Sequence, residues 1–500
     1  MLLSDQKVVQ MEAEAPTRPQ GTALEVSFDL CRTAFMARPE AIPYHQRIAA
    51  LDQLQQTLLG HRQQLIAALN SDFNGRSAAE TLQLELFGLI DEIRYTKKHL
   101  RRWMKPKKIA TNALFQPSRS RLYYQPLGVI GIIGSYNYPL LLTLSPLIGA
   151  LAAGNHAMIK PSTNTPATSQ LLQMLLSEIF SEDYVAVVTG STADTRAFSS
   201  LPFDHLIFTG STNVGRKIMA QAAANLTPVT LELGGKSPTI IAPDYPLAKA
   251  IAEIVFAKFI NAGQTCVAPD YLLVHEKQLH EVLELCQAHI ARAYPRLVNN
   301  PDYTRLINGD HFDRLQGWLN EATAKGAKMI QVNNGNEACS RDNQVFPPTL
   351  IWYCPDSCAL LQEEIFGPIL PIVTYRNLDE AIAYVNKRDR PLALYYFDNN
   401  AGRVEQMLNQ TLSGGVTING CVFHVAQHEL PFGGVGASGM GQYHGFHSFE
   451  TFSKKRGVFF TSRFMNTKLL KPPYGKAFEW VMGSLLGRRL QRERLEAYRP

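Results

Sequence analysis

Between residues 128 and 208, four short apolar runs are separated by helix-forming segments: 128–134 (GVIGIIG), 157–160 (AMIK), 185–188 (VAVV) and 205–208 (HLIF). Strands that alternate with helices pair through crossovers that lay the helices on the faces of the sheet. The pattern therefore demands a parallel sheet covered on both sides. Such sheets bind ligands at the carboxyl ends of their strands, and the chemistry is expected there. A second alternating region runs from near Glu232 to about Val416, with strands expected at 271–274 and 369–375, and reads as a second α/β domain. No repeat of fixed period is visible. With 500 residues at 45% hydrophobic content, the chain is too long for one ordinary core and calls for two or three subdomains.

The chain before about residue 25 has few apolar anchors and reads as a flexible arm. After it, Ile48, Leu51, Leu54, Leu58, Leu65 and Leu69 recur at near-helical spacing, as do Leu82, Leu86, Leu89 and Ile93. Two long amphipathic helices are expected, each burying one stripe. Pro106 closes the second helix, and residues 119–125 look extended.

Charge and cysteine content exclude several classes. The net charge is +6, but residues 463–500 alone hold nine Lys or Arg against three acids, so the body is neutral. A neutral body argues against a nucleic-acid surface. The apolar part of the tail, 477–486, is about ten residues and too short to span a bilayer. It is expected to be a solvated helix packed on the body rather than one lying on a membrane. Seven cysteines, an odd number with no CxxC pair and no signal peptide ahead of them, fit a reducing cytoplasm. His424, His428, His444 and His447 lie close in sequence but make no recognisable zinc set, and no metal is expected.

Several residues carry chemistry. The 208–215 turn (FTGSTNVG), with Gly210 and Gly215 five apart, could present backbone N–H groups to an anion or simply cap a helix. Lys160 closes an expected strand before Pro161 and could donate to a ribose or phosphate, or be a surface lysine. Cys266 sits in a polar, glycine-containing stretch (NAGQTCVAPD), where small neighbours leave a thiol accessible, whereas Cys286, within Leu283-Glu-Leu-Cys, has apolar flanks and reads as packing. Glu232 follows a strand and precedes two glycines; it is either a base whose pKa burial raises or a strand-end salt bridge. Asn137 follows the 128–134 strand; its amide could stabilise an oxyanion or cap a helix.

Taken in order, SYNYP (135–139), IKP (159–161), FTGSTNVG (208–215), LELGGKSP (231–238), GQTC (263–266), EEIFGP (363–368) and LPFGGVGASGMG (430–441) resemble the aldehyde dehydrogenase superfamily over about residues 25–465. The GQTCVAPDY form resembles the class 3 branch, and HGFHSFETFSKKRGVF (444–459) is similar to its coniferyl-aldehyde dehydrogenase members. The resemblance implies a Rossmann-like cofactor domain, an α/β catalytic domain and a small β oligomerisation element, and with them a homodimer. It divides the chain into an arm (1–24), a helical part of the cofactor domain (25–107), an oligomerisation hairpin (108–126) and the Rossmann-like domain (127–232). The catalytic domain (233–418), a return to the cofactor domain (419–439), an oligomerisation segment (440–464) and a basic tail (465–500) follow.

The resemblance also implies roles. Cys266 would attack the aldehyde carbon, the Asn137 amide and the Cys266 N–H would hold the oxyanion, and Glu232 would activate the water that hydrolyses the thioester. Covalent attachment makes the carbon tetrahedral, which hydride departure requires. For the cofactor it implies Lys160 at the adenosine ribose and Gly210, Ser211 and Gly215 beside the pyrophosphate. Glu364 would sit at the nicotinamide ribose and Phe366 near the nicotinamide, with Leu233 and Gly234 also lining the cofactor site. Many NAD-selective members carry a glutamate where this chain has Thr163. A like-charge clash with a 2′-phosphate at about 4 Å costs on the order of 1–4 kcal/mol, so both NAD and NADP are expected. Tyr136 stands where many relatives have tryptophan; with Phe423 and Phe432 it suggests an entrance for a flat, apolar aldehyde. The rival functions are a relative that passes its thioester to coenzyme A, which Glu232 disfavours, and a non-enzymatic structural relative, which Cys266 disfavours.

Overall fold

The computed structural model describes residues 22–465 and 471–486. The expected arm up to residue 21 and the basic residues from 487 onward lie outside the described residues. The chain divides into two compact units, Met1–Trp103 with Gln125–Lys454, and Met104–Tyr124 with Lys455–Pro500.

The smaller unit is built on a three-stranded sheet of β1 (Lys107–Ile109), β2 (Arg119–Pro126) and β16 (Ser453–Phe460), in the order β1-β2-β16. Lys107 lies opposite Leu122 in the antiparallel β1–β2 pair. Phe115 meets Phe459 edge-on at 5.8 Å, yet Ile109, Phe459 and Phe460 remain exposed. A helix over Lys476–Leu486 leaves Trp480, Leu485 and Leu486 exposed.

The larger unit contains two sheets. One comprises β3 (Val129–Ile133), β4 (His156–Lys160), β5 (Val185–Val187), β6 (His205–Thr209), β7 (Val229–Glu232) and β15 (Gly439–Met440), in the order β15-β7-β6-β3-β4-β5. All its pairings are parallel except β15 with β7. Every residue of β3, β4 and β6 is buried, which is why these strands read as unbroken apolar runs rather than alternations. The chain runs outward from β3 to β4 and β5, then returns to lay β6 and β7 on the other side of β3. A crevice opens where that order reverses, at the carboxyl ends of β3 and β6.

The second sheet comprises β8 (Pro238–Ile241), β9 (Tyr271–His275), β10 (Lys328–Gln331), β11 (Thr349–Trp352), β12 (Ile369–Tyr375), β13 (Ala393–Phe397) and β14 (Gly415–Ile418). Its order is β10-β11-β12-β9-β8-β13-β14, with only β10 antiparallel. Five residues, 233–237, carry the chain from the carboxyl end of β7 to the amino end of β8, so those two strand ends share one edge of the cleft.

Both expected long helices differ from the periodic reading. The first is two helices, Tyr44–Gly60 and Arg62–Asp72, broken at His61, where the backbone leaves helical dihedrals. The second winds as a π-helix over Thr81–Phe87 before the α-helix Gly88–Trp103. The wider π turn rotates the register. Leu82 leaves the apolar stripe and is 44% exposed, while Thr81 and Glu85 turn inward. A helix also begins earlier than the arm reading allowed, at Ala23, where Thr22 and Glu25 form a reciprocal capping box.

Candidate active site

A cleft of about 230 Å³ opens at the switch point. Of the residues singled out in the sequence, Asn137, Gly210, Ser211, Glu232, Leu233, Gly234, Cys266, Glu364 and Phe366 line it. The first six come from the carboxyl ends of β3, β6 and β7, as parallel-sheet geometry requires. Cys266, Glu364 and Phe366 instead precede β9 and β12, so the opposing wall is the amino edge of the second sheet. That corrects the expectation that all the chemistry lies at carboxyl ends. Lys160, Thr163 and Gly215 do not line the cleft. Lys160 ends β4, Thr163 is exposed three residues later, and Gly215 sits in the helix Thr212–Ala223, where a Cβ would press on Leu233 at 2.6 Å.

The segment that delivers Cys266 is not the open polar loop its composition suggested. Asn261, Gln264 and Thr265 are buried, and only the cysteine reaches the cleft. Asn261 and Ala262 both adopt φ of 51°, and Gly263 follows at 73°. Two successive non-glycine residues in that region are strained by roughly 1–3 kcal/mol each. The strain is held by hydrogen bonds. Asn261 Nδ2 donates to Asn137 O at 2.9 Å and to Gln264 O at 3.1 Å, and Gln264 Nε2 donates to Asn261 O and to Arg305 O, both at 3.0 Å. At Gly263 a Cβ would strike the carbonyl of Gly367, so no other residue fits that turn.

Asn137 is not a helix cap. The following helix starts at Leu141, and its first N–H groups are taken by Glu85, leaving Asn137 Nδ2 to donate to Gln264 O at 3.1 Å, two residues before Cys266. Nor is Glu232 a salt bridge. It is 2% exposed, and among the described residues neither carboxyl oxygen has a hydrogen-bond partner. Burial alone raises its pKa well above the usual 4.5. Glu364 is pushed up to about 8 by burial and by Asp270, against the Gly235 N–H that it accepts. The Cys266 thiol is raised to about 12, first by burial and then by the charges of Glu364 and Glu232.

Lys160 is 1% exposed, so the surface reading is overturned. Its Nζ donates to the carbonyls of Pro161 and Gly190 at 3.3 and 3.2 Å, and burial lowers its pKa. Ser211 caps the helix Thr212–Ala223 by accepting the Val214 N–H at 3.4 Å. Tyr136 lies in the cleft wall with its ring edge-on to Phe366 at 5.8 Å. Phe423 and Phe432 do not line the cleft; Phe432 is buried against His444 at 5.1 Å. Among the expected metal-free histidines, His424 meets Thr417 Oγ1 and His428 meets Asp91. Two lining residues escaped the sequence reading, His311 and Arg314, one turn apart on the helix Gly309–Ala324. Arg314 donates to Ile365 O at 2.9 Å, beside Glu364. Their only sequence signal is that i, i+3 spacing, which any amphipathic helix shares.

A switch-point cleft of this kind, with glycine turns on one wall and a cysteine and a carboxylate on the other, is the architecture of a dinucleotide-dependent α/β enzyme. The chain belongs to the aldehyde dehydrogenase family, whose pattern matches residues 22–458. A probable coniferyl aldehyde dehydrogenase of Pseudomonas aeruginosa strain PAO1 is 47% identical over 465 residues, covering 93% of this chain and 96% of that one. The solved substrate-bound state of Staphylococcus aureus AldH superposes with a TM-score of 0.87 at 36% identity, covering 92% of this chain and 99% of the other. A Mycobacterium tuberculosis aldehyde dehydrogenase complexed with NAD+ superposes at 0.79 with 28% identity, covering 87% and 89%. The protein is an oxidoreductase acting on aldehydes with a nicotinamide cofactor. Among the described residues no helix is long and apolar enough to cross a membrane.

Proposed function

We propose that the protein oxidises an apolar, aromatic aldehyde to its carboxylic acid through a covalent intermediate on Cys266. The carrying observation is that Cys266, Asn137 and Glu232, from three separate segments, line one cleft. The Cys266 thiolate adds to the carbonyl carbon, and the π pair moves to oxygen, where the Asn137 amide and the Cys266 N–H donate to it. A nicotinamide cofactor bound here would supply the acceptor for the hydride of this tetrahedral carbon. The thioester on Cys266 is then attacked by water whose proton passes to Glu232, and the C–S bond breaks to release the acid. Burial raises the Glu232 pKa and so favours its uncharged form, which eases thiolate formation next to it. The same group must shed its proton before it can accept one from water.

The cleft fits the cofactor. Glu364 Oε1 is buried without a partner among the described residues, a Cβ at Gly210 would fill the space beside Phe208, and the hydrogen bonds of Lys160 Nζ among the described residues go to backbone carbonyls. Lys160, Gly210, Ser211, Glu364 and Phe366 would hold it, with residues 127–232 as cofactor domain and 233–418 as catalytic domain. The neutral Thr163 supports use of NADP as well as NAD. Tyr136 and Phe366 in the cleft support a flat substrate like the aldehyde in the name of the Pseudomonas relative. The exposed Ile109, Phe459 and Phe460 support a homodimer built through the small sheet. The test is Cys266→Ser. It should abolish oxidation and the acylated mass that intact-protein mass spectrometry traps in the wild type, and wild-type turnover by this variant would refute the reading.

A further inference from the structure

Residues 76–85 carry three charged side chains that do not line the cleft, yet they grip both segments meeting there. Arg76 is buried between the rings of Phe73 and Tyr138, 4.7 and 5.2 Å from its guanidinium carbon. Its Nη1 donates to Asn137 O at 2.8 Å, and its Nη2 lies 3.0 Å from Glu85 Oε1. The other Glu85 oxygen accepts the N–H groups of Leu140 and Leu141 at 2.8 and 3.2 Å. Arg76 and Glu85 thus clamp the Asn137–Leu141 segment at both ends. Glu80 reaches the opposite side, where its Oε1 accepts the Asn261 N–H at 2.9 Å and its Oε2 accepts the Thr304 hydroxyl at 2.5 Å. The Asn137 carbonyl receives a second donor from Asn261 Nδ2 at 2.9 Å, which joins the two grips.

We propose that Arg76 and Glu80 are positioning residues that set the separation between the Asn137 amide and the Cys266 N–H, so that both donors converge on one oxygen. The inference rests on the covalent reading above. Neither residue touches substrate; each acts through backbone that would otherwise be free to shift. The strained turn at Asn261 and Ala262 needs such an anchor, because nothing in its own dihedral preference holds it in place. Arg76 suits the task since its planar fork serves the carboxylate and the carbonyl together, which a lysine ammonium on a flexible stem cannot do with the same geometry.

The test compares two reactions of the same sulfur. Aldehyde oxidation develops an oxyanion, whereas alkylation of Cys266 by iodoacetamide is a displacement that develops none at the site. Arg76→Lys and Glu80→Ala are assayed with benzaldehyde for kcat and KM, and separately for the alkylation rate. A misplacement of about 1 Å costs on the order of 100-fold, so kcat should fall roughly 10- to 100-fold. KM and the alkylation rate should stay within about threefold, and Glu80→Gln, which keeps an acceptor for the Asn261 N–H, should restore kcat. Should Arg76→Lys fail to fold, the double variant Arg76→Met, Glu85→Gln carries the same expectation and removes the Arg76–Glu85 ion pair whole. Unchanged kcat per folded site, or alkylation falling in step with kcat, overturns the proposal. Cys266→Ser in the same assay separates the two ideas. If it is inactive while the Arg76 and Glu80 variants are normal, only the positioning role fails; if it keeps wild-type turnover, the covalent reading fails and the positioning role with it.

Discussion

Replacing Glu232 with Gln separates the two halves of the proposed reaction. The carboxyl is buried and accepts no hydrogen bond among the described residues, so the isosteric amide breaks no existing contact. Acylation needs no proton acceptor at this position, and the uncharged amide leaves the Cys266 thiolate no harder to form, so the first turnover should release one equivalent of NADH per site. Deacylation loses its proton acceptor and should slow by roughly 10²- to 10⁴-fold, about 2.7–5.4 kcal/mol of barrier. The pH dependence follows from the direction of the pKa. Burial holds Glu232 well above 4.5, so the carboxylate form accumulates only as pH rises. Wild-type steady turnover should climb with pH through that folded-state value, while the variant stays flat. Stability moves the opposite way. A raised carboxyl pKa contributes stability that is fully present below the unfolded value and is lost as pH rises through the folded one, at about 1.4 kcal/mol per pH unit. The melting temperature of Glu232→Gln should therefore gain on the wild type from about pH 5 upward. Stopped-flow NADH fluorescence and thermal melts across pH read both effects. Unchanged steady turnover, or a variant that keeps the wild-type pH slope, would refute the assignment of Glu232 as the base.

Two further substitutions probe the cofactor wall. Thr163→Glu places a carboxylate three residues past Lys160 and should cost on the order of 1–4 kcal/mol against a 2′-phosphate, lowering NADP kcat/KM roughly 5- to 1,000-fold. NAD kinetics should change little, and equal losses with both cofactors in steady-state assays would count against the charge argument. Glu364→Gln removes a charge that raises the Cys266 thiol. Iodoacetamide alkylation measured above pH 8, where Glu364 carries its charge, should accelerate, by about tenfold for each unit the thiol pKa drops, while NAD binding measured by calorimetry weakens. A slower alkylation would contradict the electrostatic account.

Local chemistry determined a good deal of this protein. The strands His205–Thr209 and Tyr271–His275, and the first four residues of Ile369–Tyr375, are legible because a strand buried on both faces must be apolar at nearly every position, a demand met residue by residue. Cys266 stood out among seven cysteines because its neighbours are small and polar. Those same neighbours misled about exposure, since Asn261 and Gln264 are polar in order to satisfy a strained, buried turn rather than to face water. Whether Lys160 is buried, whether Asn137 caps a helix, and which way Leu82 points were settled by contacts remote in sequence. The π turn that rotates Leu82 outward also turns Glu85 toward Arg76 and the N–H groups of Leu140 and Leu141, partners with no local trace. Periodicity records which face of an element is apolar, because burial acts on each side chain separately. The meeting of residues 76–85, 137 and 261–266 is a long-range matter: it depends on which backbone donors and acceptors remain unsatisfied once the sheets have packed, and only the assembled tertiary structure supplies that.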